Sequence, residues 1–582
     1  MKKALALVLA LTMALSMAAC GGSASSSAPA SAAGSEASSA ADSTPAATGT
    51  TMTNGAYPGT ADPESVSVNL ASEPPDMNTI TTTDATAFTV LRHVIEGLTT
   101  LDAENTPVPG VAESWDINED GTVYTFHLRS DSVWSNGTPV TANDFVFAWT
   151  TLFTPTTGAA YAGTWAPYIA GASELLNTDI EDTAALEAAQ EALGVKAIDD
   201  TTLEVTLTQP CEYFLSLCAF PNFYPVNEDF WNSVNGVDGY ALDADAMLYN
   251  GPYVVSEWQH EDHLTISKNE NYWDAANKGF IPNINFAMIS ESSTALNSFQ
   301  GGELDMIGLA GDQKQLLEAE GCTPGQYDDG AVGYLEFNTT ESASTAALAN
   351  AKVRTALTLA INAESLCRDV LQNSFEVADG FTPAAVNEGE YAAQRGSLID
   401  RTMSDEEIKA LFDEGCEEAG VDPSTITLKF VCDEGDSAYQ TAAFIQNQWA
   451  EKLGINMEVN QMTFQSRLDA QTNKDFDVVF ALWSPDYNDA LTYLDMWMTN
   501  NGNNHTGWGS EEYDELINQA FAEADTQAHR DLLVQAETLL MEEMPIGPIY
   551  FRTRDYICSD KLTGVVRNAF QDMLLTYATI NA

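Results

Sequence analysis

Seven consecutive residues, Asp477-Val478-Val479-Phe480-Ala481-Leu482-Trp483, put apolar side chains on both faces of an extended segment. A strand with that pattern has no face for water, so it belongs inside a sheet covered on both sides. Its surroundings agree. Thr425–Val431 is a β-rich run, Ala438–Leu453 has the period of an amphipathic helix, and Ile455–Val459 reads as a further strand. Two helical patterns follow, Glu511–Ala524 and Ala528–Met544, and Pro545 stops the second. The chain is of the α/β class. Its body of some 520 residues is too long for one core, so two or more lobes are expected.

The N-terminal end is built differently. Lys2 and Lys3 precede the uncharged, largely apolar run Ala4–Met17, and Ala18 and Ala19 lead to Cys20. That run is shorter than the ~20 residues a bilayer crossing needs, and it reads as an export signal. Residues 21–56 are nearly all Ser, Ala, Gly, Thr and Pro, with Glu36 and Asp42 the charged exceptions. Such a stretch cannot bury enough apolar surface to offset its ordering entropy. It is expected as a flexible tether with an r.m.s. reach of about 35 Å.

The formal net charge is −62. A field of that sign repels phosphate backbones and excludes nucleic acid as a partner, while it weakly favours cationic ligands. Besides Cys20 there are seven cysteines, at 211, 218, 322, 367, 416, 432 and 558. Export permits disulfides, but the number is odd and no C-x₂-C pair points to zinc or redox chemistry. Free, mostly buried thiols are the expectation.

Along the body, Ser65–Leu70 alternates at the strand period. A helical stretch then runs through Phe88, Leu91, Ile95 and Leu98. Ser114–Ile117 and Val123–Arg129 read as two strands joined by a turn with Asp120-Gly121 at its tip, and Tyr124, Phe126 and Leu128 share one face. Thr141-Ala142-Asn143-Asp144 looks like a helix start with a capping acid.

These segments, taken in order, resemble the extracellular family 5 solute-binding proteins of ABC importers. The resemblance is carried by Ala112-Glu113-Ser114-Trp115, Tyr124–Arg129 and Trp134–Phe145. Further along it rests on Asn250-Gly251-Pro252-Tyr253, Asn269–Trp273, Gly301-Gly302-Glu303-Leu304-Asp305, Val353–Leu357 and Ala360-Ile361-Asn362. It implies the periplasmic-binding-protein-like class II architecture, two-lobed, hinged and three-domained. One lobe would combine 57–85, 231–331 and 553–582, the second would be 332–552, and 86–230 an appended domain. Met17-Ala18-Ala19-Cys20 likewise resembles the bacterial lipobox, in which Cys20 becomes the lipidated N-terminus. Two acyl chains hold a protein stably where one does not. The implied protein is a monomeric, exported lipoprotein on the outer face of the cell membrane or in the periplasm. It would take up a peptide and deliver it to permease subunits with their ATPases.

Ligands of open α/β sheets bind beyond the carboxyl ends of strands, and Ser484-Pro485-Asp486-Tyr487-Asn488-Asp489 follows the buried strand at once. From the residues alone Asp486 could equally be a turn former or helix cap. The resemblance favours another role, because Trp483-x-x-Asp486-Tyr487-Asn488 is similar to the segment by which oligopeptide binders grip a ligand's α-amino group. Main chain around Ala71-Ser72-Glu73 is expected to add strand-like hydrogen bonds to a peptide. Trp483, Tyr487 and Trp508 are candidates for lining pockets, although core packing is the plain alternative for each. Two departures stand out. Phe480 occupies the place where some long-peptide relatives carry a basic residue that meets the peptide carboxylate. Ala331 and Ser484 occupy the places of a cystine, so that bond is expected to be absent.

Catalytic readings lack motifs: there is no Gly-x-Ser-x-Gly, His-Glu-x-x-His or Gly-x₄-Gly-Lys. His260-Glu261-Asp262-His263 reads as a polar turn before a strand Leu264–Ser267 and not as a metal site. No cofactor or metal is expected. Within the same fold, a nickel chelate, an oligosaccharide or an opine-like molecule would be the alternative cargo. Outside it, an exported hydrolase or a surface sensor or adhesin remains open.

Overall fold

The computed structural model describes residues 51–372, 374–499, 501–523 and 525–581. The expected signal segment 1–19, Cys20 and the tether up to residue 50 lie outside them; the end of the expected tether, 51–56, is instead docked on the body, where Met52 bridges Thr323 and the amides of buried Thr53 and of Gly55 donate to Asp560 at 3.2 and 2.6 Å.

The strand anticipated from its apolar run is Val478–Trp483, and its first four residues are buried. It pairs in parallel with Thr427–Asp433 and antiparallel with Gly325–Phe337, so both of its edges are used. From there one mixed sheet continues through Ile546–Cys558, Met306–Leu309, Ser65–Asn69, Asn283–Ala287, His263–Lys268 and Tyr253–Gln259. At its other end Thr427–Asp433 is followed by Asn456–Met462.

Two strands of 13 residues each run through the middle of this sheet. Gly325–Asp328 pairs with Thr553–Tyr556, and Val332–Glu336 pairs with Ile546–Phe551, with a register shift between Asp328 and Val332. Gly330, at φ +72° inside that shift, adopts a conformation L side chains rarely accept. The strands therefore serve both halves of the sheet but change course between them. A separate four-stranded antiparallel sheet, in the order Ala112–Ile117, Val123–Leu128, Thr202–Thr206, Val195–Asp199, carries the predicted hairpin. Tyr124, Phe126 and Leu128 form its buried face.

Several residues that carry the family resemblance are knots of local structure. Asp305 is fully buried. It accepts hydrogen bonds from the Thr60 and Ser67 amides (2.9 Å each), from Thr60 Oγ1 (2.7 Å) and from Ser559 Oγ (2.9 Å). One carboxylate thus ties together three segments far apart in sequence. Arg354, also buried, donates to the carbonyls of Leu348 (2.8 Å) and Met544 (2.9 Å). The second of these carbonyls terminates the helix Thr526–Glu543, where Met544 turns left-handed at φ +47° just before Pro545. Thr141 and Asp144 make the anticipated capping box of the helix Ala142–Phe153.

One helix ends earlier than its apolar period suggests. Asp84 Oδ1 caps it by accepting from the Ala87 amide at 2.7 Å, and it runs Ala85–Val94. Ile95 and Leu98 remain buried, but from non-helical chain. There the Asn250 side chain accepts from the Glu96 amide (2.9 Å) and donates to its carbonyl (3.0 Å), replacing the bonds a further turn would make. Gly251 lies against this segment; a Cβ there would stand 2.7 Å from the Val94 carbonyl carbon. Cys211, Cys218, Cys322, Cys367, Cys416, Cys432 and Cys558 are all buried and free of disulfides. Among the described residues, no helix is long and apolar enough to cross a membrane.

Candidate functional site

The chain leaving Trp483 turns through Ser484-Pro485-Asp486 into a cavity of about 270 Å³. Several separate parts of the chain form its walls, among them the C-terminal stretch that carries Asp572. Phe88 and Arg92 come from the helix Ala85–Val94, and Tyr161 and Phe220 from the segment carrying the four-stranded sheet. Asp486, Tyr487 and Asn488 follow the buried strand, while Asp329, Arg552 and Arg554 come from the two long strands where their register shifts.

Asp486 is held on its backbone and loose at its carboxylate. Its amide donates to Thr492 Oγ1 at 3.0 Å, which fixes the turn. Its side chain accepts one hydrogen bond, from Tyr161 Oη at 3.2 Å, and among the described residues it has no cationic partner. Burial pushes its pKa up to about 6, only partly offset by the tyrosine. Burial, with the charge of Asp486 adding to it, pushes nearby Asp495 up to about 7. The region favours a positive guest.

The other acids of the cavity are already matched. Asp329 Oδ2 accepts from Arg552 Nε (2.7 Å) and Arg554 Nε (2.6 Å). Asp572 accepts from Arg567 Nη2 (3.2 Å) and from Tyr327 Oη. Burial alone would raise Asp572, but Arg567 and Arg554 outweigh it and hold it near 2.

Of the residues singled out in the sequence, Asp486, Tyr487 and Asn488 line this cavity. Tyr487 is stacked on Tyr213, with ring centroids 4.4 Å apart, and its hydroxyl accepts from Tyr168 Oη at 3.3 Å. Asn488 Oδ1 accepts from the Asn387 amide at 2.7 Å. The remaining four do not reach the cavity. Trp483 donates Nε1 to the Thr492 carbonyl (2.8 Å), bracing the same turn from behind. Trp508 packs edge-on against Tyr513 at 5.3 Å. Ser72 Oγ lies 3.0 Å from Thr86 Oγ1. Glu73 accepts from Trp258 Nε1 (3.0 Å) and the Glu261 amide (2.9 Å) and meets His260 Nδ1 at 2.6 Å. Burial would raise the Glu73 carboxyl, but these bonds prevail and hold it below its ordinary range. The polar turn at His260–His263 is thus tied to Glu73, ahead of the strand His263–Lys268.

Phe480 points away from this site into an apolar core, where its ring lies 6.2 Å from that of Tyr550. Arg92, Tyr161 and the Asp329 cluster escaped sequence reasoning. Arg92 had a readable signal, a single cation one turn after Phe88 in an otherwise apolar helical pattern. Tyr161 had none, because it comes from a short irregular stretch.

Comparison with known proteins agrees with this architecture. The profile of the family described as bacterial extracellular solute-binding proteins, family 5 Middle, matches residues 106–505. The oligopeptide-binding protein OppA of Bacillus subtilis (strain 168) is 30% identical over 515 residues, 86% of this chain and 90% of that protein. The dipeptide-binding protein DppE of the same organism is 30% identical over 519 residues, covering 88% and 91%. Among solved structures, the substrate-binding domain of an oligopeptide ABC transporter from Bacillus anthracis superposes with a TM-score of 0.74 at 31% identity. The match covers 90% of this chain and all of that one. Listeria monocytogenes OppA bound to peptide gives 0.74 at 29%, covering 89% and 99%. With its mixed sheet, its two shared long strands and a cavity beside them, this chain belongs to the family 5 bacterial extracellular solute-binding proteins.

Proposed function

We propose that this protein is the receptor of an ABC importer, that it encloses a peptide between two lobes, and that Asp486 takes the peptide's α-ammonium group. The observation that carries the reading is the state of Asp486: a carboxylate facing a cavity with one tyrosine hydroxyl for company. A buried charge is tolerated only when matched, and an ammonium brought in by the ligand supplies the match. Two relatives are named for oligopeptide and dipeptide binding, and one superposed structure is described as peptide-bound, which supports the same cargo.

The two lobes in this reading are 57–85 with 231–331 and 553–582, and 332–552, with 86–230 appended to the first. The long strands Gly325–Phe337 and Ile546–Cys558 are the hinge. Their register shift at Asp328–Val332 is where two half-sheets can rotate without breaking either ladder. The protein works by binding and not by catalysis. It acts as a monomer outside the cytoplasm, held to the membrane through lipidated Cys20, and its closed form is what the permease subunits receive.

Calorimetry with a mixed peptide panel tests the site. Asp486→Ala is expected to cost about 2–5 kcal/mol of peptide affinity, about 30-fold to several thousandfold, because an ammonium is left buried and unpaired. Unchanged affinity would remove Asp486 from the site. Native mass spectrometry of the purified protein tests the cargo. A ladder of peptide masses is expected, and a single non-peptide mass would overturn it.

A further inference from the structure

If the α-ammonium meets Asp486, a free peptide brings a carboxylate as well, and Phe480 is buried in a core where it cannot answer it. Among the described residues that line the cavity, Arg92 is a cation with no anionic partner. Arg552 and Arg554 both donate to the one carboxylate of Asp329, whereas Arg92 has no such contact. Arg92 forms neither a hydrogen bond nor an ion pair among the described residues. Its guanidinium lies over the ring of Phe88 at 6.0 Å, and Tyr224 and Asp572 act on it without a hydrogen bond. Burial, outweighing the charges of Tyr224 and Asp572, depresses its pKa below the ordinary arginine value, the mark of a guanidinium short of solvent and of an anion.

Arg92 also lines a second, smaller cavity of about 40 Å³. Thr100 Oγ1 and Thr576 Oγ1 belong to residues of that cavity, and both oxygens are buried without a hydrogen-bond partner among the described residues. Its other charged groups are satisfied. Glu96 accepts from Tyr272 Oη (2.5 Å) and Trp273 Nε1 (2.7 Å) and lies 3.4 Å from Lys278 Nζ. The small cavity therefore presents a free guanidinium and two idle hydroxyl donors. A planar guanidinium fork with flanking hydroxyls is the donor set for a carboxylate, and a space of this size admits a group of two oxygens but not a side chain of any bulk.

We infer that Arg92, with Thr100 and Thr576, is the subsite for the ligand's terminal carboxylate, so that both ends of a short peptide are gripped together. Arg92 and Asp486 are joined by a chain of contacts along one wall. Asp486 meets Tyr161 at 3.2 Å, the rings of Tyr161 and Phe88 are 6.4 Å apart, and Phe88 adjoins Arg92. At about 3.3–3.6 Å per extended residue, such a wall fits peptides of roughly two to four residues. The inference rests on the peptide reading of Asp486 and adds to it an upper limit on length and a requirement for a free C-terminus.

The test compares di-, tri- and tetra-alanine with their C-terminal amides and N-acetylated forms, by calorimetry on the full chain. With the wild type, amidation is expected to weaken binding by about 30-fold or more, the effect of leaving a buried cation unpaired. In Arg92→Met, acid and amide should bind alike while N-acetylation still weakens binding; in Thr576→Val the penalty for amidation should shrink. Equal binding of acid and amide to the wild type would overturn the carboxylate subsite and leave Asp486 standing. This comparison needs no variant to fold. Tighter binding of hexa-alanine than of tri-alanine would overturn the length limit. If no acid, amide or longer peptide binds, the peptide reading itself fails and this inference with it.

Discussion

Asp305 is fully buried and Asp486 half-buried at the cavity wall, and the two are treated in opposite ways. Asp305 receives four hydrogen bonds from three residues, Thr60, Ser67 and Ser559, and has Lys561 Nζ 3.8 Å away. Among the described residues, Asp486 receives one side-chain hydrogen bond, from Tyr161, and no cation. A satisfied buried acid is a structural element whose removal orphans its donors. An unsatisfied one costs the fold something that only another molecule can return.

That contrast can be broken most forcefully at Asp305. Asp305→Ala leaves the Thr60 and Ser67 amides unpaired and is expected to cost about 3–5 kcal/mol of stability, read by denaturant unfolding. A loss under 1 kcal/mol would make the two sites alike. Asp486→Asn should act in the reverse sense. Burial raises the Asp486 pKa from near 4 in the unfolded chain to about 6, so the charged form disfavours folding at neutral pH. The stabilising effect of its proton is fully present below about pH 4 and lost as pH rises through 6. Removing the charge should therefore raise the ligand-free stability at pH 7 by up to about 2 kcal/mol; a fall would show that the carboxylate has an internal partner. The smallest effect is on pH dependence. A ligand ammonium requires the ionised acid, so peptide affinity should drop about tenfold from pH 7 to pH 5. Asp495, pushed up to about 7, titrates in the same window. In Asp486→Asn the residual slope belongs to Asp495, moved to lower pH because the charge of Asp486 no longer raises it.

Much of the fold is legible in the sequence. The strand Val478–Trp483, the capping box at Thr141, and the stop at Pro545 follow from local rules of period, cap and ring closure. Asp486 stands out in the sequence because it sits immediately past a strand too apolar to be anywhere but inside, and it lines the cavity. The four residues that missed the cavity share a cause: Trp483, Trp508, Ser72 and Glu73 were chosen by nearness in sequence or by chemical type, and neither fixes which way a side chain points.

Taken alone, the order of residues determined the α/β class, the position of the central strand, the loop that bears Asp486 and the oddness of Phe480. Those properties depend on hydrophobic period and neighbouring residues, which act over a few positions. Only the folded chain decided which charges are spent. Asp329 meets Arg552 and Arg554 across more than 220 residues, and Asp486 meets Tyr161 across 325. Arg92 is left over for the same reason. Whether a buried charge has a partner is a matter of distance in space, and distance along the chain carries almost no information about it.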